Sequence, residues 1–246
     1  MEPIFTQKET AAPPYLAPDG LVSPWGLLRF AMNAAGAHSK YISADWETLA
    51  EKGVFWAVIR HRMVISRYPK TGEVVTVETW PMPTTRSAYP RAIIAHDEQG
   101  NEVFRLVSLW VLVDIHKRKM VLPDKSGIEV KGILRGNELA EPAKILPQEL
   151  KNSTRRQVTE AEIDRNGHMN NAKYLSWSLD LIPPEAGIDK HPKEVEICYL
   201  SESRLGQELI LSWELSDDGI LRVEGCREET DTPGKTSRVF AAKLHF

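Results

Sequence analysis

The chain has 246 residues, 42% hydrophobic and 26% charged, a length that suits one large domain or two small ones sharing a core. A net charge of −3 argues against non-specific nucleic-acid binding. No apolar run approaches the ~20 residues that would span a bilayer, which argues against stable membrane insertion, and the N-terminus has no basic-then-apolar leader. Cys198 and Cys226 form no Cys-x-x-Cys pair and sit in no His/Cys cluster at metal spacing. Both are expected to be small apolar residues in strands of a reduced, cytoplasmic protein, with no metal and no cofactor.

In chain order, Asp19–Trp25 opens a helical pattern over Leu27–Gly36, rich in alanines that would let a sheet wrap closely. Strands follow at Val54–Ile65 and Glu73–Trp80, split by the turn Pro69-Lys70-Thr71-Gly72. Two more follow at Arg91–His96 and Val103–Asp114, split by Asp97-Glu98-Gln99-Gly100. The stretch 123–150, with Asp124, Gly127, Gly132, Gly136 and Pro142, is predicted to be a connection with a short helix near Glu138–Ala143. Asp164–Asn171 then opens a second helix over Ala172–Ile182, with Ala172, Leu175, Leu179 and Ile182 on one apolar face and Pro183-Pro184 as the stop. Strands are predicted again at Val195–Leu200, 208–213, Ile220–Arg227 and Thr236–Phe246, with turns near Arg204-Leu205-Gly206 and over 228–235.

The order helix, strand, turn, strand, strand, turn, strand therefore occurs twice. Its period is far too long for a solenoid, so one α+β unit has been duplicated. A long helix wrapped by an antiparallel sheet matches the hot-dog fold, and two of them make a tandem hot-dog. Residues 1–122 would form the first domain, 123–150 the linker and 151–246 the second. Joining the half-sheets edge to edge would give an intramolecular pseudo-dimer with protected strand edges.

The two copies differ at the mouths of their helices. Aligning Asp19 with Asp164 sets Leu21 against Asn166 and Ser23 against His168, an apolar mouth against a polar one. Chemistry is expected in the second copy. A helix start offers unpaired N–H groups and partial positive charge for a developing oxyanion. Gly167 would let a substrate approach the backbone. In an extended segment Asp164, Asn166 and His168 would point to one side. Histidine is the side-chain type that exchanges protons near neutral pH, and Asn166 could orient a water or the imidazole. A plain Asn-Gly turn and an N-cap would account for part of this segment, but not for its polar residues appearing in one copy alone.

The segment Asp164, Asn166, His168, Met169, Asn170, Asn171 and Tyr174 resembles the Asp-x-Asn-x-His-(Met/Val)-Asn-Asn-x-x-Tyr motif of plant plastid and bacterial acyl-acyl carrier protein (ACP) thioesterases. The resemblance extends to Trp56, Tyr68–Val75, Thr79-Trp80-Pro81 and Ser108–Asp114. It implies a further catalytic carboxylate at Glu202, within Tyr199-Leu200-Ser201-Glu202-Ser203. Ser203 stands where plant members carry cysteine, which argues against a Cys–His–Asn nucleophile here.

The implied reaction is hydrolysis of the acyl-ACP thioester to free fatty acid and holo-ACP, ending fatty-acid synthesis. Water would attack with help from Glu202 or Asp164, and His168 and Asn166 would position it. The implied partner is ACP carrying a phosphopantetheine-linked acyl chain, and pairing of two chains as a homodimer stays open. The N-terminal half would line an acyl slot, with Leu27, Phe30, Met32, Phe55 and Val58 available though better suited to core packing. Arg60, Arg62, Lys117, Arg118, Lys119, Arg155 and Arg156 could meet an acidic carrier, although 117–119 looks first like a solvated hairpin tip. Rival readings are an acyl-CoA thioesterase or hydratase of the same fold, and a non-catalytic acyl-binding protein.

Overall fold

In the computed structural model, residues 3–164, 167–229 and 234–246 are described. The chain divides into two compact units, Met1–Pro142 and Ala143–Phe246.

The first unit begins with β1 (Phe5–Thr10), the central helix α1 (Pro24–Tyr41) and a short α2 (Trp46–Glu51). Strands β2 (Val54–Ile65), β3 (Val74–Pro81), β4 (Tyr89–His96), β5 (Glu102–Asp114) and β6 (Met120–Val121) follow, then one helical turn, α3 (Pro123–Ser126). The strands pair antiparallel in the order β1-β3-β4-β5-β2, with β6 beside β5. Helix α1 starts where Pro24 presets the first turn and the Ser23 hydroxyl accepts from the Gly26 amide at 3.0 Å. A side chain at Gly26 would put its Cβ 2.5 Å from the Tyr15 carbonyl, so only glycine fits. The buried Ala31, Ala34 and Ala35 let the helix lie close among its neighbours, as their small size predicts.

The connection departs from expectation. No helix forms near Glu138–Ala143, and the only helical turn between β6 and Pro142 is α3, begun by Pro123. Six residues with Pro142 as the fifth cannot sustain a helix unaided. The connection gains more from the sheet: the Ile133 amide bonds the Pro81 carbonyl, and Glu138 accepts from the Trp80 indole at 3.1 Å. Ile133 and Leu139 pack on Trp80, Met82, Ala92, Ile94 and Val107.

The second unit comprises β7 (Asn152–Gln157), a 3₁₀ turn at Glu160–Glu162, α4 (Asn171–Asp180), β8 (Glu194–Tyr199), β9 (Glu208–Leu215), β10 (Ile220–Glu228) and β11 (Thr236–His245). Strand order is β7-β9-β10-β11-β8, again antiparallel. Ala172, Leu175, Leu179 and Ile182 are buried as predicted. So are Tyr174, 4.7 Å from the Phe240 ring, and Trp177, whose face meets the Arg156 guanidinium at 4.5 Å.

The duplication extends to single hydrogen bonds. A bridge joins Leu16 to Val22 in the first copy and Ile163 to Met169 in the second. The Ala17 amide donates to the Leu21 carbonyl (2.7 Å), and the Asp164 amide to that of His168 (2.9 Å). Gly20 and Gly167 bond back to Ala17 and Asp164 at 3.0 Å with φ of 83° and 78°. Ser23 caps α1 as Asn170 caps α4. The structural register therefore sets Ala17 against Asp164, Leu21 against His168 and Ser23 against Asn170. It lies two residues from the alignment that pairs Asp19 with Asp164. The cap fixes the register, and shared Asp identity misleads.

Candidate active site at the mouth of the second helix

Before α4, Asp164 is tied by backbone bonds to Gly167 and His168, so Asp164 and His168 do not sit at the separation of an extended run; Asn166, the third residue of that expectation, lies outside the described residues. These bonds join the ends of the segment, and Gly167 takes a positive φ that glycine adopts without steric cost. Beneath it, Glu162 accepts from the amide and hydroxyl of Thr159 in a capping box, and its own carbonyl accepts from the Asn170 amide at 2.8 Å. Burial acts to raise the Glu162 carboxyl, but these bonds, the Trp177 indole and Arg156 bring it below the usual range.

The opposite wall is the loop after β8. The Met169 amide donates to the Ser203 carbonyl at 2.8 Å, stitching the loop to the helix mouth. The stitch recurs in the first copy from Val22 to Pro69, which puts Tyr68 where the second copy has Glu202. It brings His168 Nε2 to 3.1 Å from Glu202 Oε2, with the imidazole 21% and the carboxylate 41% exposed. An imidazole and a carboxylate in contact, both open to water, form an acid–base pair.

Asp164 is half-buried and joins the pair through its backbone bond to His168. Asn166 lies outside the described residues. Ser203 is fully buried and Tyr174 nearly so; burial pushes the Tyr174 phenol up, and the Ser203 hydroxyl partly offsets this. Both cysteines are free, and burial together with Glu224 pushes the Cys226 thiol up to about 11, away from the thiolate a nucleophile needs. Of the mouth amides, Gly167, Met169, Asn170, Ala172 and Lys173 already have acceptors. Those of His168 and Asn171 have none among the described residues.

Leu27, Phe30 and Val58 are buried, and Met32 and Phe55 are half-buried. Lys117, Arg118 and Lys119 form the exposed tip between β5 and β6, where Asp114 accepts from the His116 and Lys117 amides. Arg155 is engaged by Glu208 and Glu228 and Arg156 by Asp180, which reduces what either offers a partner. No described helix is long and apolar enough to cross a membrane.

Residues 25–125 match the N-terminal domain of acyl-ACP thioesterases and residues 147–233 the C-terminal domain, together more than half of the sequence. The chain belongs to the acyl-ACP thioesterase family. A palmitoyl-acyl carrier protein thioesterase of Gossypium hirsutum is 29% identical over 55% of this chain, and an oleoyl-acyl carrier protein thioesterase of Arabidopsis thaliana 27% over 62%. Those stretches are 35% and 45% of the two relatives, so this thioesterase-family chain spans less than half of their length.

A crystal structure of an acyl-ACP thioesterase from Bacteroides thetaiotaomicron superposes with a TM-score of 0.86 at 24% identity, covering 99% of this chain and 97% of that one. The 12:0-ACP thioesterase of Umbellularia californica gives 0.80 at 20%, covering 100% and 97%. The fold is a tandem hot-dog, as the repeat predicts.

Proposed function

We propose that this chain hydrolyses the thioester of acyl-ACP, releasing free fatty acid and holo-ACP. On this reading residues 151–246 carry the chemistry and 1–122 take the acyl chain. The observation that carries it is the 3.1 Å contact of His168 with Glu202, at a mouth whose counterpart has Leu21 and Tyr68. The free cysteines suit the reducing cytoplasm we propose as its setting.

A water between substrate and the pair gives up a proton to it as its oxygen attacks the thioester carbonyl. The carbonyl oxygen, now negative, takes donors from the His168 and Asn171 amides. Collapse breaks the C–S bond and the proton returns to the leaving sulfur; a thiol with a pKa of roughly 8.5 needs little acid assistance. Asp164 and Asn166 complete the motif by positioning the water.

The test is release of thiol from acyl-ACP and acyl-CoA, side by side, across a chain-length series. Glu202→Gln and His168→Ala are expected to lower kcat by ~100-fold or more, the scale of a lost acid–base group, with unchanged circular dichroism. Near-normal turnover in both variants would remove the assignment, and faster turnover of acyl-CoA would change the substrate.

A further inference from the structure

We propose that Arg227 is a positioning residue that sets the height and direction of Glu202. The proposal rests on the catalytic reading of Glu202 given above. Arg227 lies near the end of β10, and its guanidinium spans the loop that carries Glu202. Nη1 donates to the Glu202 main-chain carbonyl and to Gln207 Oε1, both at 2.9 Å, and Nη2 donates to Ser201 Oγ at 3.3 Å. One planar fork thus holds residues 201, 202 and 207 together. Lysine, a point donor, could not span all three.

A bulge prepares this geometry. Pairing between β10 and β11 slips after Gly225, leaving Val239 as the extra residue of β11. The Val239 carbonyl accepts from both Leu200 (2.8 Å) and Ser201 (3.1 Å), turning the chain out of β8 just before Glu202. Beyond the loop, Met169 bonds Ser203. Glu202 therefore has Val239 before it, Met169 after it, and Arg227 on its own carbonyl.

The first copy supplies the control. There the slip follows Ala95, Val103 is the extra residue, and its carbonyl accepts from Ser66 and Arg67. The residue matching Arg227 is Asp97, and it holds the loop by pairing with Arg67, at 2.9 Å. Both copies thus clamp the same loop from the second residue past the slip, Asp97 just beyond the end of β4 and Arg227 still within β10, with polarity reversed. Only the second copy, which has an acid at 202, places the positive charge on the strand and aims it at that acid's carbonyl. A clamp needed for folding alone would work with either polarity. A guanidinium on the main chain holds Glu202 while its carboxylate meets His168.

The experiment is a double-mutant cycle on acyl-ACP hydrolysis with Arg227→Gln, Glu202→Gln and the double variant. Arg227→Lys serves as the conservative change, and melting curves confirm folding. Displacing a catalytic group by an ångström costs up to ~100-fold. Arg227→Gln is accordingly expected to lower kcat ~10- to 100-fold with KM within about twofold. Arg227→Lys should fall between, and the double variant should be no slower than Glu202→Gln alone. If Glu202→Gln is slowed ~100-fold or more and the double variant is slower still by the full Arg227→Gln factor, or Arg227→Gln keeps full kcat, the positioning role is wrong and the catalytic reading survives. If Glu202→Gln is itself active, the catalytic reading fails and the positioning role falls with it. Should Arg227→Gln not fold, the same criteria apply to Arg227→Lys.

Discussion

His38 on α1 and His61 on β2 are buried side chains that burial holds neutral, at about 4 and about 3; Arg91, 2.9 Å from His38 Nδ1, adds its repulsion to the first. Both values lie below that of an unfolded histidine. Above pH ~6.5 neither state is protonated and stability is unaffected. Below it the unfolded chain binds protons that the native one refuses, so stability falls as pH falls. The slope is about 1.4 kcal/mol per pH unit for each histidine, ending near pH 4 for His38 and near pH 3 for His61. In urea titrations, wild type should lose more stability between pH 7 and pH 5 than His61→Gln does. Equal losses would mean that His61 titrates normally.

Of the candidate site, the run from Asp164 to Tyr174 and Glu202 could be named from motif spacing alone, and the structure brings His168 and Glu202 of that set into contact. Arg227 could not, because a single arginine in an amphipathic strand looks like any solvated residue until its partners are known.

The elements that bury an apolar face were legible too, and both helices and eight strands stand within a few residues of their predicted positions. β1 and β7 were not. Their sequences, FTQKET and NSTRRQ, carry almost no apolar signal. They are outer strands held by backbone pairing to β3 and β9, and backbone pairing leaves no periodicity to read. The bulges were missed for a different reason: each breaks the alternation, with Val103 and Phe104 both buried and likewise Val239 and Phe240, but two adjacent apolar residues are also what a strand buried on both faces shows. Gly225 marks one of them: a Cβ there would lie 2.2 Å from the Phe240 ring, which is buried against Tyr174. Gly225→Ala should therefore destabilise the fold by about 1–3 kcal/mol in thermal or urea unfolding, the usual range for overpacking. An unchanged midpoint would show that the ring has room to move.

For the molecule as a whole, duplication followed by divergence was readable from the element order, while its register was not. The caps and bridges that fix the register appear only when hydrogen bonds are compared copy by copy. The corrected register sharpens the proposed division of labour, since the first copy has Ala17, Leu21 and Tyr68 where the second has Asp164, His168 and Glu202. The two clamps should part company accordingly. Asp97→Asn, which removes the ion pair to Arg67, is expected to lower the melting temperature while leaving kcat for acyl-ACP near wild type. Loss of kcat in that variant, with melting unchanged, would move chemistry into the first copy. Most direct is turnover of acyl-ACP by His168→Leu, which gives the second mouth the residue of the first. A ~100-fold or greater fall in kcat with an unaltered melting curve is expected; turnover within a few-fold of wild type would show that His168 does not carry the chemistry.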